Sequence, residues 1–183
     1  MFNSLFDGAL VDIMQMLDAR ERRAHTQQQL LEQFNPCVLV SITLNIPGPV
    51  KNSEAITTVF ASVISELDEA LLPYEKLHQE DFSLPTGIEF YRVLRADALS
   101  VKRACTQFEE GHPLGRLLDI DVVKMAGETP TPISRTALGM APRRCFICNE
   151  EAKVCARSRR HTVLEMQEHI AFMIAAYTST QRP

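Results

Sequence analysis

The sequence lacks the features of an exported or membrane-spanning protein. No apolar run reaches the about 18 residues that a membrane helix requires. The first residues, MFNSLFDGALVDIMQ, have no basic region followed by an apolar stretch and a small-residue cleavage site. These absences predict a cytoplasmic protein that has no membrane partner. The sequence also has no internal repeat or low-complexity segment, and 183 residues that are 45% hydrophobic can bury the core of a single domain over residues 1–183.

The sequence also lacks the even number of cysteines that is typical of a disulfide framework. The chain has five cysteines, and an odd number favours free thiols or a metal site in a reducing compartment. The spacing Cys145-x₂-Cys148-x₆-Cys155-x₅-His161 supplies the ligand types and number of a tetrahedral structural Zn²⁺ site. Reduced, packed thiols explain the same residues nearly as well.

The net charge is only −4, but it is unevenly distributed. The segment from residue 135 to residue 160 has a charge of about +5, which leaves about −9 for the rest of the chain. Its basic residues are Arg135, Arg143, Arg144, Lys153, Arg157, Arg159 and Arg160. Such a segment is either a solvated surface or a docking site for an acidic partner. Nucleic acid is not an expected partner, because the chain as a whole is acidic.

The order of the predicted elements indicates the α+β class. We expect a single mixed or antiparallel sheet with helices packed on it, and long N-terminal and C-terminal helices. Apolar periodicity predicts one long helix or two short ones at residues 8–34. It also predicts helices at 52–72, 96–111 and 161–177, with Asn52 or Ser53 as the N-cap of the first of these three. It predicts strands at residues 37–46, 88–95 and 116–123, and an irregular Pro- and Gly-rich stretch at 126–144.

A pair of aspartates interrupts the last of these strands. Because side chains alternate along a strand, Asp119 and Asp121 share the side opposite to Ile120, with Cα atoms roughly 6 to 7 Å apart. Two such carboxylates are easily kept ionised only near a cation, and Mg²⁺ suits them. Arg116 offers a planar fork for a phosphate, and Gly115 allows the close approach of a ligand. The alternative is a solvated strand face.

Four segments resemble one enzyme family. They are NIPGPVK (45–51), HPLGRLLDIDVV (112–123), ISRTALG (133–139) and RRCFICNEEAKVCARSRRH (143–161). In their residues and in their order along the chain, these segments closely resemble the apo-citrate lyase phosphoribosyl-dephospho-CoA transferases. That family is also described as the citrate lyase holo-acyl-carrier-protein synthases. The resemblance extends from about Ala19 to the C-terminal helix.

The resemblance implies a nucleotidyltransferase reaction. Such an enzyme transfers phosphoribosyl-dephospho-CoA from triphosphoribosyl-dephospho-CoA to a serine of the acyl-carrier subunit of citrate lyase and releases pyrophosphate. Asp119 and Asp121 would then hold Mg²⁺, with Arg116 beside them. Either the metal or His112 would activate the serine hydroxyl. The D-x-D strand is also similar to that of polymerase-beta-like nucleotidyltransferases, although their Gly-Ser pair lies further ahead of the acids than Gly115 does.

Further candidates bind the phosphates of the substrate. Lys51 lies at a strand-to-helix connection, where free backbone N–H groups favour anions. Arg20 and Arg23 share a helix face with Gln27, and Arg135 follows a short apolar stretch. A plain turn and a solvated helix face are the alternatives for these positions.

Two other functions remain open from the sequence. One is a non-catalytic protein that escorts an acidic carrier subunit on the basic segment. The other is a hydrolase that uses the same metal pair on a nucleoside triphosphate. A requirement for a serine acceptor would separate the transferase from the hydrolase.

Overall fold

A computed structural model describes residues 5–148 and 150–181 and confirms the α+β class. Its helices are α1 (Ile13–Gln33), α2 (Glu54–Ala70), α3 (Ala98–Gly111), α4 (Ala152–Arg157) and α5 (Val163–Thr180). Its strands are β1 (Val38–Leu44), β2 (Glu75–Leu84), β3 (Gly87–Arg95), β4 (Leu118–Ala126) and β5 (Thr129–Pro132). The strands form one antiparallel sheet in the order β2-β3-β1-β4-β5. Among the helices of the described residues, none is long and apolar enough to cross a membrane.

One face of the sheet carries the main hydrophobic core. Val40 and Ile42 of β1 point to this face together with Ile120 of β4, because alternate residues of a strand share a side. Phe60 of α2 and Ile174 of α5 pack into the same core. Helices α2, α3 and α5 therefore form one layer on this side of the sheet.

The opposite face is covered along only part of its length. Leu30 and Leu31, near the end of α1, pack on Leu39 of β1 and on Tyr91 and Val93 of β3 in a second, smaller core. The earlier turns of α1 bring mostly polar side chains toward the sheet. A polar strip of sheet therefore lies beside the smaller core.

The helix starts follow the capping side chains in the sequence. Ser53, one of the two residues predicted to cap α2, accepts a backbone N–H three residues further on. Thr162 and Glu165 form a reciprocal capping box at the start of α5, and Asp12 and Gln15 do the same for α1. Each such cap contributes about 1 kcal/mol and fixes where the helix begins.

Three parts of the fold differ from the predicted pattern. The N-terminal helix begins at Ile13 instead of residue 8, because Asp12 caps it there, and Leu10 and Ile13 are 74% and 78% exposed. Strand β2 was not predicted, because its sequence EKLHQEDFSL is polar and lies at the edge of the sheet. The stretch expected to be irregular contains the short edge strand β5.

Candidate active site and metal centre

The two aspartates lie on the open side of β4. Ile120 between them is fully buried in the main core, whereas the side chain of Asp119 is 51% exposed. In the antiparallel register, Thr43 of β1 lies opposite Asp119, and Ser41 lies opposite Asp121. The pair therefore faces away from the core, beside a polar part of β1, as the alternation predicts.

The two carboxylates have different partners. Arg143 Nη1 donates a hydrogen bond to Asp119 Oδ1 at 2.8 Å. Asp121 has no hydrogen bond or ion pair with the residues that the structure describes. Burial, and after it the charge of Asp119, raise the pKa of Asp121, and the positive charges of Lys102 and Arg143 offset this only in part. Two neighbouring carboxylates, one of which has no protein partner, are suitable ligands for a hard cation such as Mg²⁺.

Helix α1 contributes two arginines to the neighbouring strand. Glu89 of β3 lies opposite Thr43 and is only 3% exposed. Arg22 Nη2 and Arg23 Nη1 both donate to Glu89 Oε1, at 3.1 and 3.3 Å. The Tyr91 hydroxyl donates to Glu89 Oε2 at 2.9 Å. Glu89 therefore holds two guanidinium groups over the polar part of the sheet.

The predicted polar stripe of α1 separates into residues with different roles. Gln27 Nε2 donates to Ser41 Oγ of β1 at 3.0 Å, so Gln27 and Arg23 both face the sheet. Arg20 is exposed and has no hydrogen bond or ion pair with the described part of the chain. The structure thus brings Arg23, but not Arg20, into contact with the sheet.

Glu109 of α3 connects the aspartates to the basic segment. Its side chain is 1% exposed and accepts the Ile120 backbone N–H at 3.2 Å. It also accepts from Arg135 Nη2 at 2.6 Å and from Arg143 Nη2. Lys102, about two helical turns earlier, donates to the Ile120 carbonyl at 2.9 Å. These two side chains satisfy the edge of β4 where β5 no longer pairs with it.

Arg116 stands next to this network without joining it. It is half-buried and makes no hydrogen bond or ion pair with the described residues. Burial lowers its pKa, and so do the charges of Arg143 and Arg135, while Glu109 acts in the opposite direction. Arg116 is therefore a guanidinium group near the carboxylates that has no anionic partner of its own.

Arg135, a candidate anion contact from the sequence, binds two carboxylates of the protein itself. Besides Glu109 it binds Glu110, whose Oε1 accepts from Arg135 Nη1 at 2.6 Å. Its side chain is 13% exposed. Two carboxylates therefore already occupy the fork of Arg135.

His112 lies in the helix layer, on the other side of the sheet from the aspartates. Its Nε2 is 3.2 Å from Glu66 Oε2 of α2, and its Nδ1 accepts the Leu114 N–H at 3.0 Å. Its ring stacks on Phe108 and contacts Tyr177 of α5. Burial lowers the pKa of His112, partly offset by Glu66. The structure does not bring this histidine together with the aspartates.

Gly115 and Lys51 have local structural partners. A Cβ at Gly115 would lie 2.7 Å from the carbonyl oxygens of Phe108 and Glu109, so this glycine permits close packing against α3. Lys51 Nζ donates to the Ile46 carbonyl at 2.8 Å within the loop that follows β1. Burial lowers the pKa of Lys51. Only one of the three ammonium protons is used in this way.

The four predicted zinc ligands converge, and we refer to them as the cysteine–histidine cluster. They are Cys145, Cys148, Cys155 and His161, and their ligating atoms all lie within 4.8 Å of one another. The sulfur atoms of Cys145 and Cys155 are 3.6 Å apart, and His161 Nε2 is 3.3 Å from the sulfur of Cys148. The four side chains form a group that could hold a metal ion.

The local backbone favours a thiolate at the first cysteine of the cluster. The Ile147 N–H donates to the sulfur of Cys145 at 3.4 Å. Burial raises the pKa of Cys145, but hydrogen bonds from the backbone of Cys148 and Ile147 and from the thiols of Cys155 and Cys148 together lower it. The other two cysteines of the chain are separate from this cluster: Cys105 is in the main core, and Cys37 is half-buried.

Sequence reasoning missed Glu89 and Glu109, which organise the arginines. A signal was present for the second: Lys102, Thr106 and Glu109 are polar residues at helical spacing on the buried face of α3. Polar residues that repeat on a buried face indicate a satisfied network. For Glu89 the only signal was a carboxylate in a mostly apolar strand that also contains Arg92 and Arg95.

Known proteins resemble this chain over nearly its whole length. A family model described as apo-citrate lyase phosphoribosyl-dephospho-CoA transferase matches residues 11–177. A protein named probable apo-citrate lyase phosphoribosyl-dephospho-CoA transferase from Streptococcus pyogenes is 39% identical over 175 residues, which cover 96% of this chain and 91% of that protein. The apo-citrate lyase phosphoribosyl-dephospho-CoA transferase of Shigella boydii is 35% identical over 158 residues, with 85% and 84% covered. A protein named CitXG from Leuconostoc mesenteroides is 36% identical over 168 residues, which cover 91% of this chain but 36% of that protein.

Proposed function

Because the chain belongs to the family of apo-citrate lyase phosphoribosyl-dephospho-CoA transferases, we propose that it attaches a prosthetic group to the acyl-carrier subunit of citrate lyase. The donor is triphosphoribosyl-dephospho-CoA, the acceptor is a serine hydroxyl of the carrier, and the leaving group is pyrophosphate. The family match is the observation that carries this proposal.

The arrangement on the open face of the sheet suits that reaction. The serine oxygen forms a bond to the phosphorus next to the ribose, the bond from that phosphorus to the pyrophosphate oxygen breaks, and the hydroxyl proton leaves to solvent or a base. Such a step depends on positioning and on neutralising charge on the phosphoryl oxygens and the leaving group. The aspartate pair supplies ligands for a cation, and Arg116 supplies a guanidinium group without an anionic partner.

Magnesium is the proposed cofactor at Asp119 and Asp121. When bound, it would neutralise phosphoryl oxygens of the donor. The protein's own part is to orient the carboxylates: Arg143 fixes one oxygen of Asp119, while both oxygens of Asp121 remain available. Glu109 in turn holds Arg143 from the other side.

Arg22 and Arg23 are the proposed contacts for the remaining phosphates of the donor. Both guanidinium groups reach the polar strip from α1 and use only part of their hydrogen-bonding capacity on Glu89. An arginine fork that is already oriented loses less side-chain freedom when it binds a phosphate. Lys51, in the loop between β1 and α2, is a further proposed anion contact.

We further propose zinc as the metal of the cysteine–histidine cluster and the cytoplasm as the location. The thiols of the chain stay reduced in that compartment. The exposed basic residues of segment 135–160 are the proposed docking surface for the acidic carrier: Arg144, Lys153, Arg157, Arg159 and Arg160. Arg143 is excluded from that surface, because it binds Asp119 and Glu109.

The test is the intact mass of purified carrier subunit before and after incubation with this protein, Mg²⁺ and the donor. The expected result is a mass gain equal to one phosphoribosyl-dephospho-CoA group, with equimolar pyrophosphate. A carrier in which the modified serine is alanine is the matched control and should gain nothing. Release of pyrophosphate at the same rate without carrier would identify a hydrolase instead, and an unchanged carrier mass without pyrophosphate would favour an escort.

A further inference from the structure

We propose that the cysteine–histidine cluster holds a zinc ion whose function is to fix Arg143 against Asp119. The metal would then act as the anchor of an active-site positioning residue, at a distance from the reacting atoms. The effect on catalysis rests on the proposed function. The presence of zinc and the anchoring of Arg143 do not.

The segment that contains the cluster has almost no hydrophobic core of its own. Among the described residues from 139 to 161, the only buried residue is Cys155, which is itself a cluster member. Phe146 is half-buried, packs against the main core and stacks on His169 with ring centroids 5.7 Å apart. A stretch that buries so little apolar surface needs a cross-link or a metal to hold one conformation.

The spacing of the ligand atoms matches zinc. Four ligands at a Zn–S distance of about 2.3 Å place sulfur atoms about 3.8 Å from one another at the corners of a tetrahedron. The sulfur atoms of Cys145 and Cys155 are 3.6 Å apart, and the histidine nitrogen is 3.3 Å from the sulfur of Cys148. Three thiols and one imidazole are a ligand set that zinc prefers.

Arg143 lies two residues before Cys145, the first residue of the cluster, and backbone hydrogen bonds hold both. The Cys145 N–H donates to the Glu150 carbonyl, and the Ala152 N–H donates to the Arg143 carbonyl, both at 2.8 Å. Arg144 and Glu151 form the isolated bridge between these bonds. Residues 143–145 and 150–152 therefore form a small hairpin. Cys145 belongs to the first strand of this hairpin, Cys148 follows three residues later, and Cys155 lies three residues beyond its end.

The side chain of Arg143 joins this hairpin to the aspartates. It donates to Asp119 Oδ1 at 2.8 Å and also to Glu109, and it is 26% exposed. An arginine has many rotamers, so its guanidinium group stays at one carboxylate only if its backbone is held. In this segment the hairpin holds the backbone, and the cluster closes the hairpin.

The metal is tested first, without reference to activity. Full-length protein prepared without chelator should contain about one zinc per chain. Protein reconstituted with Co²⁺ should show the absorption bands of tetrahedral thiolate coordination. The Cys148→Ser variant should retain less than about one fifth of the zinc, because a ligand is lost. The Cys37→Ser variant is the control, since Cys37 lies outside the cluster, and it should keep the full amount.

The anchoring is tested by limited trypsin digestion followed by mass measurement of the fragments. With zinc bound, cleavage after Arg143 and Arg144 should be slow, because the backbone at Arg143 is paired. Removing zinc by dialysis against a chelator should accelerate cleavage there by about tenfold or more, and adding zinc back should reverse this. Wild-type protein stripped and reconstituted in this way keeps the test valid if Cys148→Ser does not fold.

The catalytic link is tested by a double-perturbation cycle. The Arg143→Gln variant should keep its zinc but lose about 10- to 100-fold in kcat, with little change in KM for the carrier. Stripping zinc from the wild type should lower kcat to a similar extent, and stripping it from Arg143→Gln should cost little more. Losses that multiply would show that the metal and Arg143 act independently, and would overturn the link.

Two other results would overturn the zinc site and the anchoring of Arg143. Protein that contains no zinc and gives no tetrahedral cobalt spectrum would refute the metal. Unchanged tryptic cleavage after zinc removal would refute the anchoring. If the protein does not modify the carrier at all, the proposed function fails, whereas the zinc content and the digestion still decide the rest.

Discussion

Replacing Glu109 by glutamine tests whether one buried carboxylate holds the active-site arginines together. The side chain of Glu109 is 1% exposed and binds Arg135, Arg143 and the backbone N–H of Ile120. The amide keeps the size of the side chain and one acceptor oxygen, but it loses the negative charge. Its NH₂ group also faces a guanidinium donor, so one of the two arginines loses its partner.

The expected loss of stability is about 3 kcal/mol. Breaking a buried ion pair costs about 3–5 kcal/mol, because the remaining charge stays partly desolvated. Arg135 and Arg143 are 13% and 26% exposed, so each regains part of its hydration, and the estimate falls at the low end. In a chain of this size about 1 kcal/mol lowers the Tm by about 2–4 °C, so the expected shift is about 6–12 °C.

Urea unfolding and thermal melts followed by circular dichroism measure this loss directly. The matched control is Glu110→Gln, the next residue, which also binds Arg135 but has a side chain that is 53% exposed. An exposed pair contributes little, so the control should lose less than about 0.5 kcal/mol. A loss below about 1 kcal/mol for Glu109→Gln, or equal losses for both variants, would refute the role of Glu109 as a buried organiser.

Three further predictions concern the aspartates and the carrier. Asp121→Asn should abolish transfer without lowering the Tm, because it removes a metal ligand whose charge has no protein partner. The control variant Glu69→Gln on α2 should leave transfer unchanged. Normal turnover of Asp121→Asn at saturating Mg²⁺ would contradict the metal role. The pKa of Asp121 is raised by burial and by the neighbouring carboxylate. Its contribution to stability is therefore fully present below the ordinary pKa of 3.8 and is lost as pH rises through the higher pKa of the folded state. The metal-free protein should show this decline in melts at different pH, and Asp121→Asn should not. Charge reversal at Arg159 and Arg160 should raise KM for the carrier and flatten its dependence on salt, with little change for the donor; a collapse of donor affinity alone would place these residues in the phosphate site.

The orientation of the aspartate pair could be predicted because it depends only on local chemistry. A strand alternates, Ile120 is apolar, and the core takes the apolar side, so Asp119 and Asp121 must share the other side. The cysteine–histidine cluster was predictable for a similar reason, since ligand type and spacing already limit the geometry. Both features lie within short segments of the chain.

The arginine partners could not be predicted, because they depend on contacts between distant segments. Arg23 and Glu89 are 66 residues apart in sequence, and Arg143 and Glu109 are 34 apart. Their pairing follows from the sheet order and from where α1 crosses the sheet, and neither is contained in a local pattern. His112 shows the converse: its sequence position beside the D-x-D strand suggested a catalytic base, but the turn between α3 and β4 directs its ring into the helix layer.

Two charged residues of the candidate site have no partner of opposite charge among the described residues. The charged groups of this site are the carboxylates of Glu89, Glu109, Asp119 and Asp121 and the guanidinium groups of Arg22, Arg23, Arg116, Arg135 and Arg143. Four of the arginines bind a carboxylate within the described residues, and Arg116 does not. Asp121 is likewise the one carboxylate of the set that has no donor. A bound cation would satisfy Asp121 and an anionic phosphate would satisfy Arg116, so the two unpaired charges together match a metal–phosphate ligand such as the proposed donor.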